Sequence, residues 1–310
     1  MIKIKFNKDN LIKSPLNYVG GKYKLLPQIL PLFPDDINTF VDLFGGGLNV
    51  GININANQII YNDISSQVTN LLKTFKDKAN DEIFKAILNN IKKHNLSDST
   101  QKTYEEYNCN SSDGLGKYNK EAYIKLREEY NHLNLEGFEK DILFYTLICY
   151  SFSNQIRFNS KNEFNMPYGK RDFNKNLRNN LEIFLNKLHN TNIKFSNSDF
   201  RKLKIDKLSS EDFVYCDPPY LITCASYNEN GGWTESDEED LLNLLDSLHI
   251  NNIKFALSNV LQSKGKINNI LTNWSKKYNI HYLNCKYGNA NYQRIDKDDS
   301  TTIEVLITNY

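Results

Sequence analysis

Short apolar runs of strand type alternate along this chain with longer stretches whose apolar positions recur every three or four residues. "TFVDLFG" (39–45) and "QIIYND" (58–63) are the first two predicted strands, with room for a helix between them. "NIKFSNSDF" (192–200), "DFVYCD" (212–217), "IKFALSN" (253–259), "NIHYLNCKY" (279–287) and "EVLITNY" (304–310) are the later ones. "TESDEEDLLNLLDSLHI" predicts a helix: Thr234 or Ser236 caps it, acids fill its first turn, and leucines stand at 241, 244, 245 and 248. Such alternation predicts an α/β fold, a mostly parallel sheet wrapped by helices. From about 71 to 150 the alternation stops. "EIFKAILNNIKKH", "EAYIKLREEY" and "EKDILFYTLICYSF" read as helices around a polar loop with Asp113, Gly114 and Gly116, which suggests an inserted subdomain. The polar stretch 287–302 reads as a loop between the last two strands.

Composition narrows the class. With 310 residues, 40% hydrophobic and 12% aromatic, the chain can bury a sizeable core. Net charge is +1, from 38 basic and 37 acidic side chains, unlike the strongly basic balance of many dedicated nucleic-acid binders. Basic residues still gather locally: Arg157, Lys161, Lys170, Arg171, Lys175 and Arg178 stand against Glu163 and Asp172, as a binding face or as an ordinary solvated one. Five cysteines without a CxxC pair point to a reducing compartment, and the spacing of the five histidines gives no zinc site. The N-terminus has no apolar signal region, and no run reaches the roughly 18 apolar residues of a membrane span, so a cytoplasmic protein without membrane contact is expected.

Three stretches could carry chemistry. In "FVDLFGGGLNVGIN", a strand runs into Gly45, Gly46 and Gly47 and then a predicted helix, the arrangement that seats a ligand at the edge of a doubly wound sheet. Asp63, ending the second strand, can accept hydrogen bonds from a ribose, so a nucleoside-containing cofactor is expected. "SPLNYVGGKYKLLPQIL" places Gly20, Gly21 and Lys22 at a predicted helix start, without the pattern of a phosphate loop. "NSDF" brings Asp199 and Phe200 to the same edge, as an acceptor and a cover for an adenine or as a plain strand end. "VYCDPPYLI" ends a strand in Asp217, Pro218, Pro219 and Tyr220. A carboxylate and a rigid carbonyl there can accept the N–H bonds of an adenine amino group and restore its lone pair, while the tyrosine offers a face for stacking.

On these residues the chain resembles the Dam-type (D12 class, alpha group) DNA adenine-N6 methyltransferases. "NYVGGK" (17–22), "FVDLFGGG" (40–47), "ND" (62–63), "NSDF" (197–200) and "DPPY" (217–220) match the family's motifs in order, with "LSN" (257–259) and "EVLITNY". "RFNSKNEFNMPYGK" (157–170) resembles its DNA-contacting hairpin. The resemblance implies a seven-stranded, mostly parallel, doubly wound methyltransferase sheet with an inserted helical target-recognition domain. Residues 1–70 and 177–310 would be the catalytic domain, 71–176 the recognition domain, with the hairpin at 155–170. It implies S-adenosyl-L-methionine held by Tyr18, Lys22, Phe44, Gly45, Gly46, Gly47, Asp63, Asp199, Phe200 and Asp217, and catalysis by Asp217, Pro218, Pro219 and Tyr220. Double-stranded DNA would be held by Arg157, Asn159, Lys161, Asn165, Pro167, Lys170 and Arg171, with Arg157 reading a base. A bacterial or phage gene is implied, with a cognate restriction endonuclease as a possible separate partner.

Three positions depart from the family pattern. Tyr18 stands where tryptophan is frequent, and Leu48 where the glycine motif has its last glycine. "FSNQIR" replaces a frequent Asn-Gly turn before Arg157, so GATC is one candidate target among others. Family relatives that methylate protein glutamine carry Asn at the position of Asp217, which disfavours that substrate.

Overall fold

A computed structural model of the chain describes residues 11–18, 20–223, 232–284 and 302–310. Eight strands form one sheet: β1 (Thr39–Asp42), β2 (Gln58–Asn62), β3 (Ile193–Ser196), β4 (Phe213–Cys216), β5 (Lys254–Ser263), β6 (Lys266–Ile267), β7 (Asn279–Leu283) and β8 (Ile303–Thr308). The order is β3-β2-β1-β4-β5-β8-β7, with β6 folded back on β5. Strands β3 to β5 along that path are parallel; β8 enters antiparallel to both β5 and β7. The mostly parallel α/β sheet is as expected, and the β6 hairpin is an addition.

Burial on both faces explains the continuous apolar strands. In β4, Phe213 and Tyr215 face a core with Phe33, Phe40 and Leu306. Val214 and Cys216 face the other, with Leu241, Leu245 and Phe255. The helices are α1 (Leu26–Ile29), α2 (Ser66–Asp77), α3 (Asn80–Lys93), α4 (Gly116–His132), α5 (Gly137–Tyr150), α6 (Lys175–His189), α7 (Glu235–Ile250) and α8 (Asn269–Ser275). Between β2 and its neighbour β3 the chain runs through α2 to α6. Every residue of α5 from Asp141 to Tyr150 is buried, which is why its sequence is apolar all round. The core that α5 centres also contains Leu16, Leu48 and Tyr61 beside β1 and β2. The expected boundaries at 70/71 and 176/177 fall inside α2 and in the first turn of α6.

Two predicted helices shrink to turns. After the glycine run the chain makes only a 3-10 turn at Gly51–Asn53. Asn49 and Asn53 instead strap the N-terminal segment, accepting from the backbone N–H groups of Ser14 (3.0 Å) and Ile12 (2.8 Å). At Lys22–Lys24 there is likewise a 3-10 turn, and α1 after it is held to one turn between Pro27 and Pro31. The loop expected at 287–302, except for Thr302, lies outside the described residues. Among the described residues no helix is long and apolar enough to cross a membrane.

Candidate active site

Strand β1 has β2 on one side and β4 on the other, so the winding of the sheet reverses between β1 and β4. Both strands end at the same edge, with Asp42 level with Tyr215, the switch point at which sheets of this winding bind their ligands.

At the end of β4, Asp217 receives two donors on one oxygen: Lys22 Nζ at 2.9 Å and the Tyr220 hydroxyl at 3.0 Å, both on Oδ1. Among the described residues, none donates to Oδ2. Lys22 also donates to the Gly20 carbonyl and lies 5.0 Å from the centre of the Tyr220 ring. Glu304 on β8 completes the group, 3.7 Å from Lys22 and accepting from the Tyr220 hydroxyl at 3.2 Å. Lys22 and Glu304 are 4% and 1% exposed, whereas Asp217 keeps 19%, so the acid at the strand end is the one that meets solvent. Burial raises the Asp217 carboxyl above its ordinary range and Lys22 draws it back down. Pro218 is buried and Pro219 exposed. Cys216 is fully buried, which raises its thiol, so it fills space beside the acid as a small apolar residue. Glu304 went unread as a site residue, although it is the one acid in the apolar run of the last strand.

The glycine loop forms a second group. A Cβ on Gly45 would run into the Tyr61 ring, and Gly46 has a φ of +46°, so both positions need glycine. Tyr61 donates its hydroxyl to the Gly46 carbonyl at 2.8 Å. Asp63 accepts from the Gly46 N–H and the Ser65 N–H, both at 2.8 Å, and the Tyr18 ring lies against Gly46. The expected ribose acid thus also pins the glycine loop to the end of β2; burial raises its carboxyl and these two N–H groups lower it. Asp42, buried and accepting from the Gly51 N–H, has its carboxyl pushed up to about 7 by burial.

Leu48 takes the left-handed conformation, with φ at +62°, and its side chain is fully buried. Left-handed backbone costs a non-glycine residue about 1–2 kcal/mol, while a buried leucine is worth about 2–5 kcal/mol over alanine. Packing therefore wins. Leu48→Gly is expected to destabilise the chain by about 1–3 kcal/mol in urea unfolding; an unchanged or raised midpoint would show that backbone strain dominates.

Phe44 and Phe200 meet, with ring centroids 5.4 Å apart. Trp233, which the sequence reading passed over, joins them at 5.8 and 5.5 Å. Asp199 accepts from the Arg201 N–H and pairs with the Arg201 guanidinium at 3.1 Å. The "LSN" stretch serves the framework: Ser258 bonds the Tyr215 hydroxyl at 2.7 Å and Asn259 reaches Glu238 on α7.

Residues 155–170 form an irregular hairpin in which Phe158 pairs with Phe164. Helix α4 moors its return arm: Asn131 bonds both backbone groups of Phe164, and Tyr123 and Arg127 donate to the Met166 carbonyl. The Arg157 guanidinium donates to the Asn165 side chain (2.7 Å) and backbone carbonyl (2.9 Å), which fixes its plane. Asn159 folds the tip, its Oδ1 accepting from the Lys161 and Glu163 N–H groups. Lys161, Pro167, Lys170 and Arg171 are exposed.

A family model described as "D12 class N6 adenine-specific DNA methyltransferase" matches residues 18–289. The chain is 45% identical over 99% of its length to "Type II methyltransferase M.FokI" of Planomicrobium okeanokoites, and 40% identical over 96% to "Modification methylase StsI" of Streptococcus sanguinis. It spans only 44% and 43% of those two proteins. With "Type II methyltransferase M1.LlaDCHI" of Lactococcus lactis subsp. cremoris it shares 27% identity over 98% of its own length and 97% of the other's. The chain belongs to the D12 class of N6 adenine-specific DNA methyltransferases.

Proposed function

We propose that the chain transfers a methyl group from S-adenosyl-L-methionine to N6 of an adenine turned out of duplex DNA. The observation that carries this reading is the Asp217 carboxylate, held on Oδ1 by Lys22 and Tyr220 while Oδ2 faces no donor among the described residues. Oδ2 would accept one N–H of the target amine and the Pro218 carbonyl the other, drawing the nitrogen toward tetrahedral geometry. The hydroxyl bond to Asp217 orients the Tyr220 ring, on which the flipped base would stack. Phe44, backed by the buried Phe200, would line the neighbouring cofactor site together with the Gly45–Gly47 backbone, Asp63 and Tyr18, an aromatic face and acceptors suited to an adenosine. S-adenosylmethionine, when bound, supplies a methyl group on a positively charged sulfur, open to attack by nitrogen. The chain's own part is to orient the amine, stabilise its growing charge and release its proton to solvent.

In the same reading, 71–176 is the target-recognition part and the 155–170 hairpin grips DNA. Arg157, presented by Asn165, would read a base, and Lys161, Lys170 and Arg171 would meet phosphates. Arg157→Ala is expected to cost about 1–3 kcal/mol of discrimination at one base pair of the target. Equal weakening on every sequence, in competition binding at fixed salt, would make it a phosphate contact. Relatives named modification methylases favour a role beside a separate restriction endonuclease, with GATC one candidate site. The direct test is incubation with labelled S-adenosylmethionine and unmethylated DNA, with RNA and protein as parallel acceptors. Label in DNA as N6-methyladenine is expected; label in RNA or protein alone would overturn the reading.

A further inference from the structure

The first turn of α7 does more than start a helix. Thr234 is its N-cap and forms a reciprocal capping box with Asp237. In such a box the residue before the cap lies against the fourth helical residue, where two apolar side chains commonly pack. Here those positions hold Trp233 and Glu238, and the indole N–H donates to the carboxylate at 2.6 Å. Glu238 is fully buried and also accepts from Asn259 at 3.2 Å and Asn268 at 2.8 Å, both buried too. Three buried polar side chains are a costly way to hold a ring that merely fills space. Together they fix the orientation of Trp233, while Asn268 also caps α8 and Asn259 also accepts from the Val260 N–H.

That ring stands beside Phe44, which leads out of β1 into the glycine loop, and Phe200, which follows β3. Phe200 is buried, and Arg201 covers it at 4.5 Å. Phe44 and Trp233 keep part of their surface open. Two open rings at right angles (76°), on a buried third, leave an aromatic corner at this sheet edge beside Gly45.

We infer that Trp233 forms a wall of the cofactor's adenine site and that Glu238, itself held by Asn259 and Asn268, is its positioning residue. The inference rests on the cofactor reading above, and its test separates the two. S-adenosylhomocysteine serves as the probe, by titration calorimetry and by tryptophan emission. The chain has two tryptophans, and Trp274 is packed away between Phe255 and Tyr278, so Trp274→Phe leaves Trp233 as the reporter. The probe should quench that emission with the same midpoint that calorimetry gives for the wild type. Base stacking of about 1–3 kcal/mol sets the expected loss in Trp233→Leu at roughly 10- to 100-fold in affinity, with Trp233→Phe between. Glu238→Gln, which turns an amide N–H toward either the indole or the asparagines, should weaken binding too. Combined with Trp233→Leu it should add little, because both changes act on one ring. Wild-type binding with unquenched emission, or Trp233→Leu binding within threefold of wild type, overturns the inference and leaves the cofactor reading standing. A wild-type chain that takes up no probe overturns both.

Discussion

Asp217→Ala slows methyl transfer by about 10²- to 10³-fold while leaving the chain folded: this is the expected result of the first experiment on the site. The carboxylate closes no core; it stands 19% exposed beyond a strand whose residues Phe213 to Cys216 are packed by their own side chains. Lys22 keeps Glu304 within 3.7 Å when Asp217 is gone, so no buried cation is stranded. What is lost, on the proposed function, is the acceptor for the target amine. Removing one preorganised group of this kind from an active site costs about 10²- to 10³-fold in rate. Asp217→Asn should lose less, since it keeps an oxygen in place and gives up the charge. Single-turnover incorporation of labelled methyl, with circular dichroism to check folding, measures both. Near-normal turnover in the alanine variant would remove Asp217 from the chemistry.

Legibility in the sequence followed the range of the interactions. All seven strands of the main path could be read: two-sided burial makes the inner ones continuous apolar runs, and the half-exposed edge strands β3 and β7 keep a short apolar and aromatic pattern bounded by polar residues. β6 escaped, being a two-residue return of β5. The helix predicted after Gly47 failed because local pattern does not show where polar side chains are spent, while the one at Lys22 is cut to short turns by Pro27 and Pro31. Asn49 and Asn53 bind a segment 35 to 41 residues away. The motif residues were found, but their partners were not. Lys22 and Asp217 are far apart in sequence and meet only because the 20–22 turn and the end of β4 share one sheet edge. Glu304 reaches the same point from β8, in register with Val260 of β5. Trp233 looked like an ordinary residue before a helix cap, since nothing local reveals that Phe44 and Phe200 come to it.

Lys22→Met should unsettle the molecule most. Methionine keeps the length and volume of the side chain but leaves Asp217 and Glu304 side by side without the cation that lies 2.9 and 3.7 Å from them. Taking one partner from a buried ion pair costs about 3–5 kcal/mol, and the 19% exposure of Asp217 and its bond from the Tyr220 hydroxyl put this variant toward the low end of that range. The pH dependence identifies the cause. Burial already lifts Asp217 above its unfolded range and Lys22 holds it down, so without Lys22 it rises further. A carboxyl raised in the folded state contributes stability below its unfolded pKa and loses it as pH climbs through the folded one. The deficit of the variant should therefore be largest at neutral and alkaline pH and shrink on acidification. On the proposed function activity moves the other way, since an ionised Asp217 would be the acceptor and the rate would fall as it protonates. The acid limb of the rate profile should shift to higher pH in Lys22→Met, with both limbs followed in single-turnover assays and stability in parallel urea titrations. An unshifted acid limb, together with a stability within about 0.5 kcal/mol of wild type at every pH, would mean that Lys22 does not govern the charge on Asp217.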